Sequence, residues 1–103
     1  MAKIDPYSST DQMDSTAISA MTQRLEDRGK NAFFLQMMSE YLDALEPAKL
    51  GRVLEVGCGT GVATRGLALH PAFNGHIFAS DLSADLVDVA RRRADEAGCA
   101  EKI

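Results

Sequence analysis

The chain has 103 residues, with 11 Lys and Arg against 15 Asp and Glu for a formal net charge of -4. That length suits one domain or less, the 46% apolar content is that of a globular chain, and the acidic balance excludes a general nucleic-acid binder. No apolar run approaches the ~20 residues of a membrane span, and two cysteines, Cys58 and Cys99, make no disulfide framework, so a reduced, cytoplasmic setting is expected.

Residues 1–14 are polar and irregular and read as a flexible N-terminal segment; Met1 to Asp5 holds no apolar core of a signal peptide. Ile18, Met21 and Leu25 then recur at helical spacing. Asp14 or Ser15 can cap that helix, and Gly29 is expected to end it. It reads as a packing helix or as a lid over a ligand site. Arg24 and Arg28 share one of its faces and could meet a carboxylate.

A second helix starts at a cap on Asn31. Phe33, Phe34, Met37, Met38, Tyr41, Leu42 and Leu45 form a broad apolar stripe, expected to bury against a sheet and the first helix. Pro47 stops it. Val53, Leu54 and Val56 follow as a short, nearly continuous apolar run, which is how a strand buried on both faces of a parallel sheet reads.

The run ends in Glu55-Val56-Gly57-Cys58-Gly59-Thr60-Gly61. Three glycines at alternate positions bare the main chain and permit φ > 0. The next helix starts there, with Val62, Ala63, Leu67 and Ala68 as its inner face and Pro71 as its stop. A helix start aims free N–H groups and a positive dipole end at the turn, so strand, turn and helix make a nucleotide-type cradle. A dinucleotide fingerprint needs G-x-G-x-x-G, and Val62 stands where its third glycine belongs. Glu55 would also repel a pyrophosphate. These two points count against an NAD-linked oxidoreductase half and favour a cationic or hydroxyl-rich ligand.

Asn74-Gly75 marks a turn, His76 to Ser80 a second strand, and Ser83 the cap of a last helix that ends at Gly98. Leu86, Val87, Ala90 and Ala94 are its expected buried face. Arg91-Arg92-Arg93 reads as a solvated face paired with acids such as Asp88. The order is helix, helix, strand, helix, strand, helix. A crossover this short makes the strands parallel neighbours and sets Asp81 at the second strand's C-terminal end, beside the glycine turn.

Glu55-x-Gly57-x-Gly59-x-Gly61 resembles the first motif of the class I S-adenosylmethionine-dependent methyltransferases. The resemblance implies an α/β, Rossmann-like methyltransferase fold, here incomplete, with an N-terminal helical cap and with residues 15–103 as the N-terminal part of the domain. It implies S-adenosyl-L-methionine as cofactor and methyl transfer to a small-molecule acceptor. The implied cofactor-binding residues are Glu55, Gly57, Cys58, Gly59, Gly61, Asp81 and Leu82, with Asp81 on the ribose and Leu82 on the adenine. A plain helix cap is the competing role for Asp81. Cys58 is assigned no redox or nucleophilic role. No catalytic residue is assigned, because the sulfonium is already a good leaving group and positioning suffices. No metal set and no Ser/His/Asp arrangement can be assembled.

Two strands are fewer than that family carries, so the chain is expected to be the front of a longer methyltransferase or half of a split enzyme. An unpaired strand edge then predicts a homo-oligomer or a complementing chain that completes the sheet. The rival class is a non-catalytic cofactor-binding or regulatory module. Neither nucleic acid nor membrane is an expected partner.

Overall fold

In the computed structural model, which describes residues 14–103, four helices and two strands follow the expected order. The flexible segment expected at residues 1–14 lies outside the described residues, except for Asp14. That residue caps α1 (Ser15–Lys30), its Oδ1 accepting from Ala17 N at 2.8 Å. Gly29 does not end this helix. A Cβ there would come within 2.7 Å of Val62 Cγ1, so the glycine is a seat for a neighbouring helix. Asn31 is the stop, and the same residue starts α2 (Ala32–Ala44) by accepting from Phe33 N and Phe34 N.

After α2 the backbone turns at Glu46 (φ 54) into a short 3-10 turn, Pro47–Lys49. The stripe on α2 is buried only at Met38 and Leu42, whereas Phe33 is 84% exposed and Met37, Tyr41 and Leu45 are also open. The cause is a narrow contact. A Cβ on Gly66 would lie 2.9 Å from Met38 Cε, so α2 sits close on one neighbour, and its outer flank is uncovered.

β1 (Arg52–Val56) and β2 (His76–Ser80) pair in parallel, with Val53 opposite Ile77 and Leu54 opposite Phe78. Between them runs α3 (Val62–Ala68). Side chains alternate along each strand. Val53, Ile77 and Ala79 point into a core built from Met38, Leu42, Leu67, Ala68 and Phe73. Leu54, Val56 and Phe78 point the other way and are 70%, 80% and 53% exposed. Burial of β1 on both faces, expected from its apolar run, is therefore not observed, because the helices of the described residues share one side of the sheet.

α4 (Ala84–Ala97) is capped by Ser83, whose Oγ accepts from Leu86 N, and it closes on Gly98 in the left-handed region (φ 75). Its buried residues are Leu86, Val89 and Ala94. Val87 and Ala90 are only half-buried, and Val89, absent from the expected face, lies beside Ile18 and Ser19 of α1. The arginine triplet is exposed and partly self-paired, Arg91 with Asp88 at 3.3 Å and Arg93 with Glu96 at 3.9 Å. Among the described residues no helix is long and apolar enough to cross a membrane.

Candidate ligand site at the glycine turn

The sheet does not end at Val56. Cys58 N donates to Ser80 O at 2.9 Å and Ser80 Oγ donates to Glu55 O at 3.0 Å, so the turn is tied to the end of β2. Gly57, Gly59 and Gly61 all take positive φ (73°, 56° and 86°), which side chains rarely tolerate. A Cβ on Gly57 would meet nothing within 4 Å, so its main chain faces open space. Gly61 differs. It starts α3, and a Cβ there would lie 3.2 Å from Ala90 Cβ, so its bareness serves close packing on α4.

Above the turn is a hollow of about 700 Å³. Gly57, Cys58 and Gly59 form part of its floor, and Leu82 stands at its side, 64% exposed. Met21, Leu25 and Arg28 of α1 and Phe34 of α2 also line it. The Arg28 guanidinium lies over the Phe34 ring, 5.5 Å from its centroid. Both predicted acids, Glu55 and Asp81, border this one hollow. Of the three glycines in the motif, Gly61 alone does not line the hollow.

Asp81 grips the turn. Its Oδ2 accepts from Gly59 N at 2.8 Å, and its Oδ1 accepts from Ser83 N at 2.9 Å. A carboxylate offers about four lone-pair sites, so each oxygen keeps room for one more donor. The Glu55 carboxylate accepts from the Thr64 hydroxyl. Cys58 is buried, and burial together with the charges of Glu55 and Asp81 pushes its thiol up to about 11. It is a neutral thiol at pH 7, unlike an activated nucleophile. Burial, and then Glu55, also raises the Tyr41 phenol above its ordinary value.

A second polar cluster lies beneath the turn and was not foreseen from sequence. Glu26 of α1, 7% exposed, accepts from Thr60 Oγ1 at 2.6 Å and pairs with Arg65 Nη2 at 2.6 Å; Arg65 Nη1 donates to Thr60 O at 2.8 Å. Burial works to raise the Glu26 pKa, but the hydrogen bonds from Thr60 and Arg65 and the charges of Arg65 and Arg93 outweigh it and hold the pKa below its ordinary value. The only signal in the sequence was an acid at a position flanking an apolar stripe. His70 likewise meets Asp43 across 27 positions, Nε2 to Oδ1 at 2.8 Å, a pairing local spacing cannot show. Among the described residues no group of His, Cys, Asp and Glu could hold a metal ion.

Comparison with known proteins points to the same kind of domain. Residues 53–103 match the family model described as methyltransferase domain. The chain is similar to the release factor glutamine methyltransferase of Chlorobaculum tepidum, 42% identical over 59 residues that make up 57% of this chain and 20% of that protein. It is also similar to the ubiquinone biosynthesis O-methyltransferase of Xylella fastidiosa, 39% identical over 59 residues, 57% of this chain and 23% of the relative. The matched part is thus about a fifth of each relative's length. No solved structure matches at a significant level. With the glycine turn, the crossover helix and all of the parallel strand pair but Arg52 inside residues 53–103, the chain belongs to the class I S-adenosylmethionine-dependent methyltransferase family.

Proposed function

We propose that the hollow receives S-adenosyl-L-methionine and that the chain supports methyl transfer to a small-molecule acceptor. The observation that carries this is the placement of Glu55 and Asp81 on one hollow, on either side of bare main chain at Gly57 and Gly59. The residues fit such a group. A Cβ at Gly57 would project into the open space, so only glycine leaves it free. Asp81, with two backbone N–H groups already bound, retains acceptor sites for the two hydroxyls of a ribose. Leu82 offers an exposed apolar flank to an adenine. Glu55 suits the cationic end of the ligand, and Cys58 leaves a small neutral wall. Gly61 contributes indirectly, by letting α4 pack close against the start of α3 at Ala90.

When bound, the cofactor supplies an electrophilic methyl group on a positively charged sulfur. The protein's part is to bind, orient and exclude water, so no general base is required. Met21, Leu25 and Phe34 give an apolar lining, and Arg28 is a cation on the same hollow that could hold a carboxylate. The two relatives are named for unlike acceptors, a release-factor glutamine and an oxygen in ubiquinone biosynthesis. Likeness to both therefore favours a role for this chain on the side of the methyl donor.

Residues 15–103 are proposed as the N-terminal part of one methyltransferase domain, in a cytoplasmic protein. The sheet face left uncovered and the β1 edge left unpaired by the described residues favour a second copy or a complementing chain as partner. Calorimetry with S-adenosylmethionine and S-adenosylhomocysteine tests the reading. Binding of both is expected. Absence of binding, or an NADH fluorescence response in its place, would reject it. Binding without turnover after completion by a partner would favour the non-catalytic module.

A further inference from the structure

We infer that Glu26 is a positioning residue for the glycine turn, acting through Thr60 and Arg65 to hold the roof helix and the floor of the hollow as one unit. The ligand part of this inference rests on the reading that the hollow receives S-adenosylmethionine.

The three residues come from three elements: Glu26 from α1, Thr60 from the turn and Arg65 from α3. Their bonds close a triangle. The two Glu26 oxygens are each taken, one by the Thr60 hydroxyl and one by Arg65, and Arg65 also holds the Thr60 carbonyl. Thr60 is therefore fixed at its side chain and at its main chain. It stands between Gly59 and Gly61, the residues with the most backbone freedom in the turn. A clamp at that point sets the path of the main chain that lines the hollow.

The other end of the triangle is the roof. Glu26 directly follows Leu25 and lies two positions before Arg28, both of which line the hollow. The apolar contacts of α1 run along its length: Ile18, Met21 and Leu25 pack with Leu86, Leu25 Cδ1 would lie 3.3 Å from a Cβ on Gly59, and Gly29 seats Val62. Leu25 touches the turn without fixing a direction, whereas Glu26 ties it through hydrogen bonds to Thr60 and Arg65. A buried ion pair contributes little net stability compared with an apolar replacement, and its better-attested use is to specify one arrangement. Here the arrangement specified is roof against floor, so ligand binding and docking of α1 reinforce each other.

The test uses the full chain and two variants, Glu26→Gln and Thr60→Val, with Thr60→Ser as the conservative control. Hydrogen exchange is read without ligand at Gly59 and Gly61, whose amides donate to Asp81 and Cys58, and along α1 and α4. Exchange at the turn and α1 should rise about tenfold in both variants, as expected for a lost charge-assisted hydrogen bond. Residues 89–94 of α4 should hold, and Thr60→Ser should behave as wild type. S-adenosylhomocysteine affinity should fall by a similar factor, about tenfold, in Glu26→Gln. Unchanged exchange at the turn, an equal rise in α4, or a Thr60→Ser variant as loose as Thr60→Val would overturn the inference. Should the wild-type chain not take up S-adenosylhomocysteine, the reading of the hollow fails, and the exchange comparison still decides the tether.

Discussion

The two faces of the sheet are made from similar residues and end in different surroundings. Val53, Ile77 and Ala79 lie under helices, with Ile77 1% exposed. Leu54, Val56 and Phe78, one position along on the same strands, stand open to solvent. Composition therefore does not decide which face is core; the placement of the helices does. β1 reads as a strand meant for cover on both sides, and the described helices cover one. The difference separates what the chain uses to fold from what it offers to something else.

The covered face should break first. Ile77→Ala removes a fully buried side chain from the centre of the core and should cost about 2–5 kcal/mol of unfolding free energy. Chemical denaturation followed by circular dichroism measures it. A loss no larger than that from a substitution on the open face would remove the distinction between the faces.

Asp81 directly follows the end of β2 and lines the hollow, and its effect should be intermediate. Asp81→Ala deletes the acceptor for Gly59 N and Ser83 N, and under the proposed function it also deletes the ribose contact. S-adenosylhomocysteine binding should weaken by about 1–3 kcal/mol. Unchanged affinity with lowered stability would make Asp81 a brace of the turn and no more. The structure already shows the brace, so calorimetry is needed for the second role.

Much of this layout was legible in the residues. β2 begins at His76 and ends at Ser80, as the flanking Asn74-Gly75 turn and Asp81 suggested, and Asn31 and Ser83 cap the helices they were expected to cap. Those signals are local, and local geometry satisfies them. What sequence could not show was long-range. Gly29 carries the composition of a helix stop, yet it is bare for the sake of Val62, 33 positions on. Phe33 and Tyr41 have the spacing of a core stripe, but spacing says nothing of whether a neighbour exists to cover them. Glu26 has no local partner at all; Thr60 and Arg65 reach it only once α1 crosses the turn.

The buried charge of Glu26 beside the glycine turn gives a smaller effect and a pH signature. The folded-state pKa of Glu26 lies below its ordinary value of 4.5. Its charged form is therefore favoured by folding, and that stabilisation is complete above 4.5. It is lost as pH falls from there through the lowered folded-state value. Denaturation midpoints measured across the acid range should fall along this limb in the wild type and more shallowly in Glu26→Gln. Parallel limbs would show that other carboxylates govern acid unfolding.

The smallest folding effect belongs to the open face, where a different quantity should change. Phe78 is 53% exposed, and its ring partner among the described residues is His76, edge-on with centroids 4.8 Å apart. Phe78→Ser should cost about 1 kcal/mol or less. Yet Phe78 shares its face with Leu54 and Val56, an apolar surface on a sheet whose outer edges are unpaired among the described residues. Surfaces of this kind recruit a covering partner. Light-scattering chromatography at micromolar concentration should therefore show association in the wild type and less of it in Phe78→Ser, with the denaturation curves nearly superimposed. A wild-type chain that runs as a sharp monomer would mean that the open face is tolerated in water, and the case for a second copy on it would be lost. Loss of association without loss of stability would divide the strands by face, with one side committed to this chain's own core and the other to its partner.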